Sequence, residues 1–528
     1  MSERPRVRTA EGVLEGRWRR GLAEFRGVPY AEPPVGALRF AAPVPVRRWE
    51  GVRPAVEFGP TPPQSGPVRT RTDGGTDWLT LNVCTPDPGA AGLPVLVWIP
   101  GGGYLTADTS DPMYDPAALA AAGLVVVSLA YRVGAEGFAQ LDGAPANRGF
   151  LDQIAALRWV RRNIAAFGGD PGRVTVAGQS AGAGSVAALL TMESVPTEEP
   201  VRAMDPARAV EPEWGMEPEW VMEPARDLFQ RAIAHSVPGT HLTRALAERI
   251  ARALADRLGV APTAAGLAGV DPWRLAGEVT ALGAELPGPY GEWGRLARTG
   301  VAVGPVVDGE VLPESPWAAL AGGRARGVEL LVGHTRDEFR LFSVMSGRAG
   351  TFTEEEARTA LELFAPRPEG AAAYRAAFPG AAPGELLETV YSDALFRMPS
   401  LCLARANEAA GGTSYLFELG LAATGFGGAL GACHSLDVPL AFGTLDSPNG
   451  VGLLGEDPTA AARAVSRELR DAWVGFATSG DPGWPAARPD GAWLTRVLDA
   501  ASGTLPYPER ASVRIWEDHY PTPFGLGE

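Results

Sequence analysis

Apolar positions along the chain fall into short runs with two different periods. Residues 93–99 form an unbroken apolar run, Leu-Pro-Val-Leu-Val-Trp-Ile, of strand length, and 123–131 form another. Runs of this kind, without polar alternation, predict parallel strands covered on both faces. Between 151 and 167 the period changes. Leu151, Ile154, Leu157, Val160, Ile164 and Phe167 recur on one face, which predicts a helix that Gly168-Gly169 ends. Val174 and Val176 around Thr175 then read as a short strand, and Val186, Leu189 and Leu190 among alanines as a second helix. Strand, helix and strand in this order make a βαβ unit, so a parallel sheet and an α/β fold are expected.

The same reading places a hairpin over 6–18, turning at Glu11-Gly12. It places strands at 79–84, 328–332 and 414–418, and a helix over 461–476. Residues 25–36 hold too much proline for a helix or a central strand, and 513–516 read as a terminal strand. His241 falls in a helical pattern, whereas His235 and His334 fall at strand ends. Residues 193–223 break the pattern: Glu-Pro-Glu-Trp occurs twice in a Pro- and Glu-rich segment, read as a low-complexity insertion carried away from any site on the sheet. The rest of 1–528 is expected to be one domain.

Composition narrows the function. Of 528 residues, 45% are hydrophobic and 21% charged, enough for a large core, and the net charge of −15 argues against nucleic-acid or anionic-membrane partners. No apolar run is long enough to span a membrane, and the polar first residues lead into no apolar stretch. Cys84, Cys402 and Cys433 are too few and too widely spaced for a disulfide framework or a thiolate metal site. The expectation is a cytoplasmic protein with buried free thiols, no metal and no organic cofactor.

The chemistry centres on Gly178-Gln179-Ser180-Ala181-Gly182, between the Val174 strand and the helix after it. The pentapeptide says little by itself in a chain with 66 glycines; its setting says more. A strand that turns at once into a helix crowds its backbone, which favours glycine on either side. The residue at the apex, Ser180, is pushed outward above a helix N-terminus. The apolar run 93–99 ends in Pro100-Gly101-Gly102-Gly103, a loop able to turn backbone N–H groups towards an anion. A serine hydroxyl needs a base, and five histidines offer themselves. In the order nucleophile, acid, base, an acid near the end of the Val328 strand and then His434 qualify; His235 precedes every late acid.

With these motifs, the sequence resembles the type B carboxylesterases, which include bacterial para-nitrobenzyl esterases, the cholinesterases and the non-catalytic neuroligins. The likeness runs from about Val7 to Trp516 and rests on 25–40, Tyr131-Arg132-Val133-Gly134, 152–182, 228–233 and 434–443. It implies an α/β-hydrolase fold. It also implies Ser180 as nucleophile, Glu338 rather than Asp337 as acid, His434 as base, and the N–H groups of Gly102, Gly103 and Ala181 as oxyanion donors. The substrate would be a small neutral ester; a carbamate or amide hydrolase and a non-catalytic scaffold are the alternatives. Three departures stand out. Pro100 replaces the family's His before the glycines, Phe339 replaces the Gly after the acid, and Thr61-Pro62 and Trp78 stand where the family has cysteines.

Overall fold

The computed structural model describes residues 4–65, 75–192, 225–287, 293–324, 328–366, 369–488 and 492–526, with the short pieces 195–196 and 222–223. Its frame is an 11-stranded sheet. In chain order the strands are β1 (Arg17–Arg19), β2 (Leu22–Pro29), β3 (Thr80–Thr85), β4 (Leu93–Ile99), β5 (Val125–Leu129), β6 (Gly169–Gln179), β7 (Arg231–His235), β8 (Glu329–Thr335), β9 (Thr413–Leu419), β10 (Leu494–Leu498) and β11 (Gly503–Pro506). Across the sheet the order is β11-β10-β9-β8-β7-β6-β4-β5-β3-β2-β1. From β10 to β5 every pairing is parallel, and the strands beyond on either side are antiparallel. This is the α/β-hydrolase architecture the motifs imply.

The unbroken apolar runs are explained by cover on both faces. Val95, Val97 and Ile99 of β4 belong to the core on one side, and Leu96 and Trp98 to the core on the other. The helix Arg148–Asn163 and the turn after it pack Leu151, Ile154, Leu157, Val160, Ile164 and Phe167 into the first core. The helix Ala460–Ser479 places Leu469, Trp473 and Phe476 in the second. Gly168 ends the first helix in a left-handed conformation, with φ at 87°. The expected hairpin forms from Arg6–Arg8 and Val13–Glu15, and all three cysteines are buried and free.

Three expectations are corrected. Residues 25–29 lie in β2, which is inside the sheet beside β3. A register shift between Phe25 and Val28 absorbs Gly27, and Pro29 comes last in the strand, so the proline disturbs little of the ladder. The segment 513–516 is not a strand: Arg510–Ile515 is helical, and Trp516 donates to Tyr374 Oη at 2.8 Å. Four residues of alternation were too short a window to separate the two. His241 precedes its helix instead of lying in it, because Thr243 caps the helix Arg244–Leu258 two residues later.

The insertion at 193–223 lies outside the described residues except at its neck. There Val195–Pro196 and Met222–Glu223 pair antiparallel, so the segment leaves and returns at one place. Among the described residues, no helix is long and apolar enough to cross a membrane.

Candidate active site

β6 ends at Gln179, and the helix Ala181–Thr191 begins directly after Ser180. Ser180 sits at φ 56°, ψ −126°, a strained conformation held by its N–H donating to His235 O at 2.9 Å and its carbonyl accepting from Gly184 N at 2.9 Å. The flanking glycines are there because nothing larger fits. A Cβ on Gly182 would lie 2.1 Å from Ile99 O, and one on Gly178 would lie 2.4 Å from the Gly182 backbone. The sharp turn thus exists because the elbow packs backbone to backbone against the end of β4.

That end of β4 leads into the glycine loop. Tyr131, buried in the core, donates its hydroxyl to Pro100 O at 2.9 Å and anchors the loop's first residue. Gly102 has φ of 129° and Gly103 of 62°, both accessible to glycine at little cost. The Gly102 carbonyl turns inward, accepting from Leu105 N at 3.0 Å and Thr106 N at 3.1 Å. Among the described residues, the N–H groups of Gly102, Gly103 and Ala181 donate to no protein acceptor. All three residues line one cavity of about 520 Å³ together with Ser180, Gln179 and His434.

His434 lines this cavity and meets Glu338 on its buried side. Glu338 follows β8, is fully buried, and lies with Oε2 at 2.5 Å from His434 Nδ1. Its Oε1 accepts from the Ser236 hydroxyl at 2.5 Å and from Thr335 N at 2.9 Å. Burial opposes its charge. The His434 ring and the hydrogen bonds from His434, Ser236 and Thr335 outweigh that penalty and hold the carboxyl below the usual carboxylate range. His434 is itself buried, with the rings of Phe396 and Phe342 at 4.4 and 5.5 Å. Its Nε2 lies 3.1 Å from Gln179 Nε2, and the Ser180 hydroxyl has no hydrogen-bond partner among the described residues.

None of the other histidines lines this cavity. His235 bonds Asp437 Oδ2 through Nδ1 at 2.7 Å and accepts from Trp473 Nε1 at 3.1 Å. His334 lies between Thr335 O and the Tyr507 hydroxyl. His241 is buried beside Trp317, and burial pushes its pKa down to about 4. His519 is remote in the C-terminal tail, where its carbonyl accepts from the Cys402 thiol.

Sequence reasoning misses Ser236, which supports Glu338 from a neighbouring strand end, and the contact of Gln179 with His434. Both depend on packing between distant segments: Ser236 N donates to Gly333 O, which sets the end of β7 beside β8, and Asp337 holds the loop that carries His434 through Ala432.

The carboxylesterase family model matches residues 3–198 and 220–496. The chain belongs to the carboxylesterase family. It is a carboxylic ester hydrolase, and its relatives agree in extent and fold. The para-nitrobenzyl esterase of Bacillus subtilis (strain 168) is 32% identical over 496 residues, covering 91% of this chain and 92% of that one. The phenmedipham hydrolase of Pseudarthrobacter oxydans is 34% identical over 539 residues, covering 97% and 100%. A carboxylesterase structure from Geobacillus stearothermophilus superposes with a TM-score of 0.81 at 31% identity, covering 97% of this chain and all of that one. The break in the esterase match at 199–219 falls inside the repeat segment.

Proposed function

We propose that this esterase hydrolyses small neutral carboxylic esters through an acyl-enzyme. Ser180 attacks the carbonyl carbon, and His434 takes the hydroxyl proton at Nε2 and passes it to the leaving alcohol. Glu338 fixes the ring through Nδ1 and stabilises the imidazolium. The oxyanion is received by the N–H groups of Gly102, Gly103 and Ala181, which share the cavity with Ser180. Water then resolves the ester of Ser180 with the same base. The observation that carries this reading is the buried Glu338–His434 pair, whose histidine lines a cavity into which the strained Ser180 opens.

The cavity wall supports an uncharged substrate. Leu296, Val301, Val303, Phe339, Phe342 and Phe396 are among its apolar lining residues. No step in the scheme calls for a metal or an organic cofactor, and the substrate is the one small-molecule partner it requires. The chain is read as a single catalytic unit with a closed-neck insertion. The three buried thiols support a reducing compartment, the cytoplasm.

Ser180→Ala should lower kcat for a para-nitrophenyl ester on the order of 10⁴-fold or more. Near-normal turnover by that variant would overturn the scheme. A carbamate-cleaving reading uses the same groups, and a phenmedipham hydrolase that matches nearly the whole chain favours testing it. Rates on a matched ester, carbamate and amide with one leaving group decide between the readings.

A further inference from the structure

Gln179 is the residue before the elbow and is 4% exposed. Its carboxamide Nε2 lies 3.1 Å from Nε2 of His434. The other ring nitrogen, Nδ1, faces Glu338 Oε2 at 2.5 Å. An ionised carboxylate only accepts, so Nδ1 carries a proton; in the neutral ring Nε2 is then a bare acceptor. The amide N–H of Gln179 donates to that lone pair, the same one a serine hydroxyl must use. The Ser180 hydroxyl, one residue along, makes no hydrogen bond among the described residues, so the contact belongs to the nucleophile's neighbour.

We propose that Gln179 is a positioning residue that holds the neutral His434 ring off Ser180 in the free enzyme and yields it when substrate fills the cavity. This rests on the reading of Ser180 as nucleophile and His434 as base.

The contact distinguishes the two protonation states of the ring. Once His434 is protonated at Nε2, the amide N–H would face a ring N–H, and the bond survives only if the carboxamide turns to present Oε1. In the orientation the structure shows, Gln179 favours the base-competent ring over the imidazolium. The charged groups around the ring leave room for this effect to be read. Glu338 is the carboxylate bonded to it. Asp337 turns away to Ala432 N, and Asp437, on the helix after His434, is occupied by His235. Asp108 and Asp111, which line the same cavity, accept from Ser110, and from Met113 and Asn449. Arg298 also lines the cavity, and burial keeps the Cys433 thiol beside His434 protonated, its pKa pushed up to about 12. Phe342 and Phe396 supply only ring surface.

The test uses the full-length enzyme with Gln179→Glu and Gln179→Met, both close to glutamine in length. A carboxylate beside Nε2 stabilises the imidazolium, so Gln179→Glu should move the acid limb of the kcat/KM profile up by about one pH unit. Gln179→Met removes the donor. Its acid limb should rise by a few tenths of a unit, and a neutral phosphonate should label Ser180 roughly 2- to 10-fold faster at pH 9, the range set by losing one hydrogen bond. If both acid limbs match the wild type while kcat/KM falls equally at every pH, the contact is structural only and the proposal fails. Methionine labelling no faster than wild type also overturns it. Failure of the underlying reading looks different: the phosphonate would leave wild-type Ser180 unlabelled, or Ser180→Ala would keep its activity.

Discussion

Asp337 and Glu338 are consecutive, yet their carboxylates serve different loops. Asp337 Oδ2 accepts from Ala432 N at 2.8 Å, and its own N–H donates to Ala432 O at 2.8 Å. Glu338 instead reaches the His434 ring. Asp337 clips the strand that carries the acid to the loop that carries the histidine, and Glu338 uses the alignment this gives. Under the proposed mechanism the two isosteric amide variants should separate. Glu338→Gln should lower kcat by several orders of magnitude, about 10³- to 10⁴-fold, with little change in KM. Asp337→Asn should lower thermal stability and reduce kcat far less. Equal losses of kcat with equal melting temperatures would assign both residues to one role.

The elbow yields a stability prediction with a built-in control. Alanine at Gly182 would put a methyl group 2.1 Å from a main-chain oxygen in the middle of the sheet. The backbone there cannot move away without breaking the β4–β6 ladder, so Gly182→Ala should cost about 3 kcal/mol or more, or prevent folding. Gly277 lies in the helix Pro272–Glu285 with nothing within 4 Å of its virtual Cβ. Gly277→Ala should stabilise by about 0.5–1 kcal/mol through helix propensity. Denaturant melts of the pair check both signs.

How much of this could be read in the sequence follows from the range of each signal. β4 was legible to the residue, since an apolar run closed by Pro100 and three glycines depends on no distant partner. The elbow was legible for the same reason: glycine spacing and the strand-to-helix change are both local. β2 was misread because its proline falls at a strand end, beyond a bulge, which only the neighbouring strand reveals. The support of Glu338 by Ser236 joins residues 102 positions apart, and the contact of His434 with Gln179 joins residues 255 apart. Assigning Glu338 over Asp337 needed the family resemblance, because two adjacent acids are equivalent until the loop at 432–434 is in place.

Behind the acid loop lies a pair of carboxyls that should make stability depend on pH. Glu509 has its pKa raised to about 8, first by burial and then by the neighbouring Glu418. Glu418 is fully buried and paired with Arg336. The folded state therefore holds a proton on Glu509 that the unfolded chain, with an ordinary carboxyl, releases near pH 4.5. Between those values the folded state binds more protons, so this group's contribution falls as pH rises, by up to about 1.4 kcal/mol per unit, and levels off above about pH 8. Glu509→Gln keeps a neutral donor at all pH values. Its stability relative to wild type should grow from pH 5 to pH 8, measured by urea unfolding at each pH. A difference that is flat with pH would show that Glu509 is ionised in the fold at pH 5.

The insertion supplies the last prediction. The helix Ala181–Thr191 begins directly after Ser180, and at ~1.5 Å per residue its far end is roughly 16 Å from that serine. The chain then reaches the neck, where Val195 pairs with Glu223 and Pro196 with Met222, before it enters β7. In a parallel sheet β7 begins at the end opposite the elbow, so entry and exit are both anchored away from the cavity. Segment 197–221 is Pro- and Glu-rich, a composition poorly suited to an apolar cover over an ester. Because the neck brings the two ends together, replacing 197–221 with a short Gly/Ser turn should close as a hairpin and leave the sheet intact. kcat/KM on a small para-nitrophenyl ester should stay within a few-fold of wild type, since loop length has a weak effect on closure entropy. The tryptophans and methionines of the repeat, Trp214, Trp220, Met216 and Met222, are the residues whose removal, or whose new setting at the shortened neck, should register. Any change should appear in melting temperature or in the sedimentation profile. A folded variant that loses ester turnover would make the segment a lid.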